Sequence, residues 1–164
     1  MNQIKAKELT MEGFAAFGTF AKMLNPKPAY PNARPVSFVA DMAQLNLGKA
    51  TIASFSVCRV EKRPNIVDTV ESHTSCGEGI LPLDGDIIIH VGRPTPTSFI
   101  PFDSLEAFRV PQGTFVALRR GVWHFAPFAV DGTVNTLIVL PERTYAEDCF
   151  VAPMPEDKKA EIVL

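Results

Sequence analysis

With 164 residues the chain is long enough for one domain around a sizeable core and too short for two, so residues 1–164 are read as a single domain. A hydrophobic content of 46% belongs to a folded globular protein, and a formal net charge of −2 offers nothing to a polyanion, so nucleic acid is excluded as an expected partner. The amino terminus has no apolar signal core, no run approaches the roughly 18 apolar residues that cross a bilayer, and the three cysteines (Cys58, Cys76, Cys149) are odd in number and widely spaced; a cytoplasmic protein in a reducing compartment, without membrane contact or a disulfide framework, is expected.

In chain order, the first element is a short helix over Thr10–Gly18. Thr10 can cap it, Phe14 and Phe17 fall on one face, and Gly18 stops it. It is expected against the outside of the fold. The stretch 25–35 carries four prolines, none with an N–H to donate, and is expected as an extended surface loop. Val36–Ala40 and Thr51–Val57 read as strands, with Asn46-Leu47-Gly48 turning the chain between them. Pro64-Asn65 redirects the chain into a strand bearing Glu71 and His73.

Further strands are expected over Asp86–Val91, Leu105–Val110, Thr114–Leu118 and Val134–Leu140, with loop chemistry at Gly92-Arg93-Pro94-Thr95-Pro96 and a turn at Pro111-Gln112-Gly113. Short strands at this spacing, punctuated by Gly and Pro and accompanied by one or two short helices, predict a mainly all-β fold: a double-sheet jelly roll or small barrel.

Within that frame two segments carry chemistry. In the first, Glu71 and His73 are two positions apart and would project to one face of a strand. Glu78 follows between Gly77 and Gly79, which would let the chain turn sharply and present a third group from the next strand. In the second, Gly121-Val122-Trp123-His124 could bring a fourth group from across a barrel. By residue type alone the acids could be solvated strand ends and the histidines satisfied core side chains. Two of each, bracketed by glycines, favour a metal site. Their oxygen and nitrogen donors suit Mn, Fe, Ni or Zn without choosing among them.

Other side chains in these segments have plainer readings. His90, in an Ile-rich strand without a partner nearby in sequence, is read as structural, as are Trp123, Phe125 and Phe128. Cys76 is read as a bystander, since a thiolate beside two carboxylates is an unusual ligand. If the strand before His124 is unbroken, parity puts Arg120 on the same side as His124, although Gly121 could break it.

The spacing of His73, Glu78 and Gly85 resembles the first cupin motif, with Glu71 where the first of its two histidines usually stands, and Gly121-x-x-His124 resembles the second, with Arg119 in place of its usual proline. Within the cupins the chain is most similar to the ureidoglycolate lyase family. The likeness includes Phe14-Ala15-Ala16-Phe17-Gly18, Glu71-Ser72-His73, Leu81-Pro82-Leu83-Asp84-Gly85-Asp86 and Arg120-Gly121-Val122-Trp123-His124.

The resemblance implies a cupin double-stranded β-helix, or jelly-roll barrel, that cleaves ureidoglycolate to glyoxylate and urea. It also implies a divalent metal, with nickel the metal associated with the family, held by Glu71, His73, Glu78 and His124. Glu78 either completes that ligand set or carries the proton, and Glu78 and His124 form the catalytic pair. Arg59, which matches an arginine of the family, or Arg120 would anchor the substrate carboxylate.

The sequence departs from the family pattern where Glu78 replaces a glutamine and where Asp68, Arg119 and Phe125 stand at positions often held by histidine. These departures keep an alternative open: a different metal-dependent cupin enzyme (isomerase, decarboxylase or dioxygenase) acting on another small carboxylic acid, or a non-catalytic module that binds one. The resemblance also implies a homodimer formed through an edge strand. The apolar end, Ile162-Val163-Leu164, either lies along a partner or stays disordered.

Overall fold

Alternation along the strands decides which face of each sheet is dry. In β7 (Ile87–Val91) all five residues are buried: Ile87, Ile89 and Val91 face one apolar cluster and Ile88 faces another. A strand covered on both sides reads as a continuous apolar run, which is why its sequence shows no polar alternation. The computed structural model describes residues 1–26 and 35–164. The proline-rich loop expected over 25–35 lies largely outside the described residues.

A six-stranded sheet has the order β10-β7-β8-β1-β13-β4, with β10 spanning Phe128–Ala129, β8 Glu106–Val110, β1 Asn2–Glu8, β13 Ala160–Val163 and β4 Ile66–Val67. A five-stranded sheet has the order β2-β9-β6-β11-β3, with β2 spanning Gly18–Lys22, β9 Thr114–Leu118, β6 Glu78–Pro82, β11 Thr133–Pro141 and β3 Ala53–Glu61. The first apolar cluster draws on both sheets, joining Ile87, Ile89 and Phe108 to Ile80, Val116, Val134 and Ile138. This is the interior of a jelly roll. A two-stranded ribbon, β12 (Phe150–Pro153) with β5 (Thr69–Ser72), covers the second cluster, where Val70 and Ala152 meet Ile88, Trp123 and Phe128.

The first helix, α1 (Met11–Phe14), starts where Thr10 accepts a hydrogen bond from the Gly13 amide at 3.0 Å. It does not lie wholly on the outside, as the sequence suggested. Phe14 and Phe17 are buried in the main core and stack edge-on or tilted against Phe108, with ring centroids 5.1 and 5.8 Å away. The helix itself is exposed at Met11, Glu12 and Gly13, and it is Phe14 at its end and Phe17 in the turn that follows which enter the core.

Three more expectations change. Val36–Ala40 is not a strand; it is irregular, and Val36 and Phe38 are exposed because no neighbouring strand covers them among the described residues. The apolar carboxyl end is neither disordered nor free: β13 pairs in parallel with β1 and antiparallel with β4, and Ile162 is buried. The amino-terminal β1, whose polar composition hid it, lies between β13 and β8 and runs parallel to both. A second helix, α2 (Thr144–Glu147), precedes β12.

Candidate metal centre

Four side chains from three stretches of chain converge at one point. Glu71 comes from β5 and His73 follows immediately after that strand; Glu78 opens β6; His124 lies on an irregular segment that bridges back to Glu71 through paired backbone hydrogen bonds of 2.5 and 2.9 Å. Partners directly opposite in an antiparallel bridge point to the same face, so this pairing aims Glu71 and His124 together.

The segment reaches that register by a break at Gly121, whose φ of +79° suits glycine and whose amide donates to the His73 carbonyl at 2.7 Å. Gly77 and Gly79 act differently from the turn residues expected of them, since neither has a positive φ. A Cβ on Gly77 would sit 2.4 Å from the Leu118 carbonyl oxygen, and one on Gly79 would sit 2.6 Å from the Phe115 ring. They allow β6 to approach β9 closely where Glu78 enters.

One ligand atom from each of Glu71, His73, Glu78 and His124 lies within 4.8 Å of the others. Metal bonds of roughly 2.0–2.2 Å separate ligand atoms by at most about 4.4 Å, so the cluster is within a few tenths of an ångström of enclosing one ion. Both imidazoles are turned for it. His73 Nδ1 faces the Asp148 carbonyl at 2.7 Å and His124 Nδ1 faces the Val122 carbonyl at 2.9 Å; in each case Nδ1–H donates outward and Nε2 points to the centre. The residues fit a divalent cation in donor type, in orientation and in charge, with two carboxylates facing two imidazoles.

Electrostatics agree with this arrangement. Burial alone would raise the Glu78 carboxyl, but His124 and then His73, each with Nε2 3.1 Å from the same Oε2, hold it down at about 2. Burial would lower His124, yet Glu78 and then Glu71 lift it to about 9. A proton or a cation can therefore occupy the place between His124 Nε2 and the carboxylates.

Around the centre stand groups that keep their protons. Burial, followed by the Glu71 carboxylate, pushes the Cys149 thiol up to about 12, and that thiol donates to Glu71 Oε2 at 3.3 Å. Burial and then the acids of the centre likewise raise Tyr145, whose ring stands edge-on to His73 at 6.5 Å, above the ordinary phenol range. Cys76 is buried beside Asp148 and is not among the four ligand candidates, in keeping with a bystander thiol.

Arg59 and Arg120, the two arginines expected to hold substrate, separate. Successive residues of β3 alternate faces, so with Val60 buried, Arg59 points outward, 66% exposed and beside Glu61 at 3.7 Å. It faces away from the core that Val60 enters. Arg120 is also exposed, because the turn at Gly121 breaks the strand on which parity would have aimed it inward. It lines a cleft of about 730 Å³ together with Lys49, Thr74, Ser75, Cys76 and Asp148, which neighbours the centre without including the four ligand candidates.

His90 is buried with Nε2 near the Thr69 carbonyl at 3.3 Å, and burial pushes it down to about 4, as befits a structural histidine. Trp123 turns away from His124 into the second cluster and donates its indole N–H to Thr95 Oγ1 at 2.8 Å. Sequence reasoning missed Asp148, Cys149 and Tyr145. No local pattern marks them, for they reach the centre only through α2 and the pairing of β12 with β5.

A double-sheet barrel with acids and imidazoles gathered at its interior defines a cupin with a candidate metal centre. The model of the ureidoglycolate lyase family matches residues 1–161, and the chain belongs to that family. It is 30% identical over 138 residues to the ureidoglycolate lyase of Rhodobacter capsulatus, covering 80% of this chain and 83% of that one. Among solved structures, a dTDP sugar isomerase from Desulfovibrio desulfuricans G20 is similar in fold, with a TM-score of 0.50 at 13% identity over 87% of this chain and 85% of that one. The chain also matches Bacillus subtilis oxalate decarboxylase at a TM-score of 0.43 and 14% identity, over 64% of its own length and 26% of that enzyme's.

Proposed function

We propose that residues 1–164 act as one cupin domain that cleaves ureidoglycolate to glyoxylate and urea, with Glu71, His73, Glu78 and His124 holding a divalent cation. The observation that carries this reading is the convergence of those four side chains within 4.8 Å in a chain of the ureidoglycolate lyase family. The bound cation supplies Lewis acidity toward the hydroxyl and carboxylate oxygens of an α-hydroxy acid. Manganese, iron, nickel or zinc fits the two oxygen and two nitrogen donors.

The chemistry asked of the protein is then modest. The substrate hydroxyl gives up its proton, its C–O bond becomes the carbonyl of glyoxylate, the C–N bond breaks and the departing nitrogen takes a proton to leave as urea. No water is consumed. Of the two roles open to Glu78, the geometry supports ligand over proton carrier, because a carboxyl held at about 2 by two imidazoles has no proton to give near neutral pH. Tyr145, whose ring stands edge-on to His73 and whose hydroxyl is held above the ordinary phenol range, is a candidate donor for the nitrogen. Arg120, in the neighbouring cleft, is the remaining candidate to pair with the substrate carboxylate.

Incubating the protein with ureidoglycolate and each cation in turn, while following both products, tests the reading. Release of glyoxylate and urea in equal amounts above the spontaneous rate supports it, and release at the spontaneous rate under every cation rejects it. Elemental analysis of the purified protein is expected to find about one divalent cation per chain.

We place the protein in the cytoplasm as a homodimer. No helix among the described residues is long and apolar enough to cross a membrane. Among the described residues the five-stranded sheet ends at β3, whose outward face exposes Phe55 and Val57.

A further inference from the structure

We infer that Asp148 and Cys149, the two residues joining α2 to β12, are positioning residues that clamp two of the four ligands of the metal centre. The inference rests on the metal reading of that centre. Each residue touches a different ligand. The Asp148 carbonyl accepts the Nδ1–H of His73 at 2.7 Å, which leaves the His73 Nε2 lone pair for a cation. The Cys149 thiol occupies Glu71 Oε2 at 3.3 Å, which leaves Oε1 as the oxygen turned toward His124 Nε2, 3.8 Å away.

Glu71 is thereby prepared to bind through one oxygen. The two ligands lie 75 and 78 positions upstream of the residues that hold them, so the contact is a product of the fold.

The Asp148 carbonyl is itself held in place. The carboxylate of the same residue accepts from the Thr74 amide at 2.9 Å, the Thr74 hydroxyl at 2.8 Å and the Ser75 amide at 2.8 Å. It staples the loop that follows His73 to the residue that orients His73. On the other side, β12 begins at once, with Phe150 opposite Ser72 and Val151 opposite Glu71, which fixes Cys149 in register with the ligand strand. Outer contacts of this kind set the tautomer and direction of a ligand, and their loss typically weakens metal affinity about 10- to 100-fold.

The test is titration of the chelator-stripped full chain with Mn(II), Ni(II) and Zn(II), with melting curves in chelator to confirm that each variant is folded. Cys149→Ala is expected to weaken cation binding by about 10- to 100-fold. Cys149→Ser, which restores a donor to Glu71, is expected to recover most of that loss. Asp148→Ala is expected to weaken binding similarly and, without any metal, to lose the slowly exchanging Nδ1–H signal of His73 in nitrogen-edited NMR spectra.

Cys149→Ala binding as tightly as the parent, serine doing no better than alanine, or the His73 signal surviving in Asp148→Ala would each overturn the clamp. Failure of the parent protein to take up any of the three cations would instead overturn the metal reading on which the clamp depends.

Discussion

Two buried histidines, His90 on β7 and His124 on the irregular segment facing Glu71, are pulled in opposite directions, and that sets the pH response of the metal-free protein. Burial holds His90 at about 4 against an ordinary 6.5, so between about pH 6.5 and 4 the unfolded chain binds a proton that the folded chain refuses. Stability falls as pH falls through that window. Burial would also lower His124, but Glu78 and Glu71 lift it to about 9, so its contribution is complete below pH 6.5 and is lost as pH rises through 9. Each limb amounts to something on the order of 3 kcal/mol.

Thermal melts of chelator-treated protein between pH 4 and 9 are therefore expected to peak near pH 6.5. His90→Gln should flatten the acid limb above pH 4.5, where Glu78 is still ionised in both states, and His124→Gln the alkaline one. A bound cation takes the place of the His124 Nε2 proton, so the metal-loaded protein should lose the alkaline limb without any substitution. At the same scale, Glu78→Gln removes one carboxylate charge that two imidazoles converge on, and His73→Ala removes a nitrogen ligand. Either variant is expected to lower the cation content of the purified protein well below one per chain and to abolish turnover, as elemental analysis and a glyoxylate assay would show.

Elements differ in how much of their fate a local pattern carries. Phe17 and Phe38 are both phenylalanines beside loops, yet Phe17 is 0% exposed against Phe108 and Phe38 is 76% exposed. Phe17→Ala is expected to cost about 3–5 kcal/mol, and Phe38→Ala close to nothing, by urea denaturation. The difference lies in tertiary cover, which is why Val36–Ala40 reads as a strand in sequence and is not one.

The strands that were legible, β3, β7, β8, β9 and β11, carry β-branched or aromatic residues and are set off by nearby Gly or Pro. β1, β12 and β13 were not, since each is short or polar and is a strand only because a distant partner offers hydrogen bonds. The ligand candidates were legible because His73, Glu78 and Gly121-x-x-His124 stand in local spacings that survive without a fold. The outward direction of Arg59 was not legible, because it follows from strand parity once Val60 is turned to the core. The clamp at Asp148 and Cys149 had no such signature.

At the scale of the whole molecule, the outer side of β3 is an apolar sheet edge without a neighbouring strand among the described residues. Nine residues long, it forms the edge of the five-stranded sheet, and Phe55 and Val57 are 68% and 62% exposed on the face that also carries Arg59 and Glu61. A long edge with apolar side chains invites another strand, and a second copy of the same strand running antiparallel about a two-fold axis would satisfy the backbone groups and the aromatic face together. Arg59 and Glu61 of each copy could then meet across that axis, which gives the outward arginine a use that the metal centre does not.

The protein is expected to sediment at about twice the mass of an 18.0 kDa chain. Phe55→Glu with Val57→Lys should shift it to the monomer, because charges buried at such a contact without partners cost several kcal/mol. All four ligand candidates belong to one chain, so the monomeric variant is expected to bind its cation with unchanged affinity. A parent protein that sediments as a monomer would remove the dimer; a monomeric variant that also loses its cation would show that the partner supports the centre.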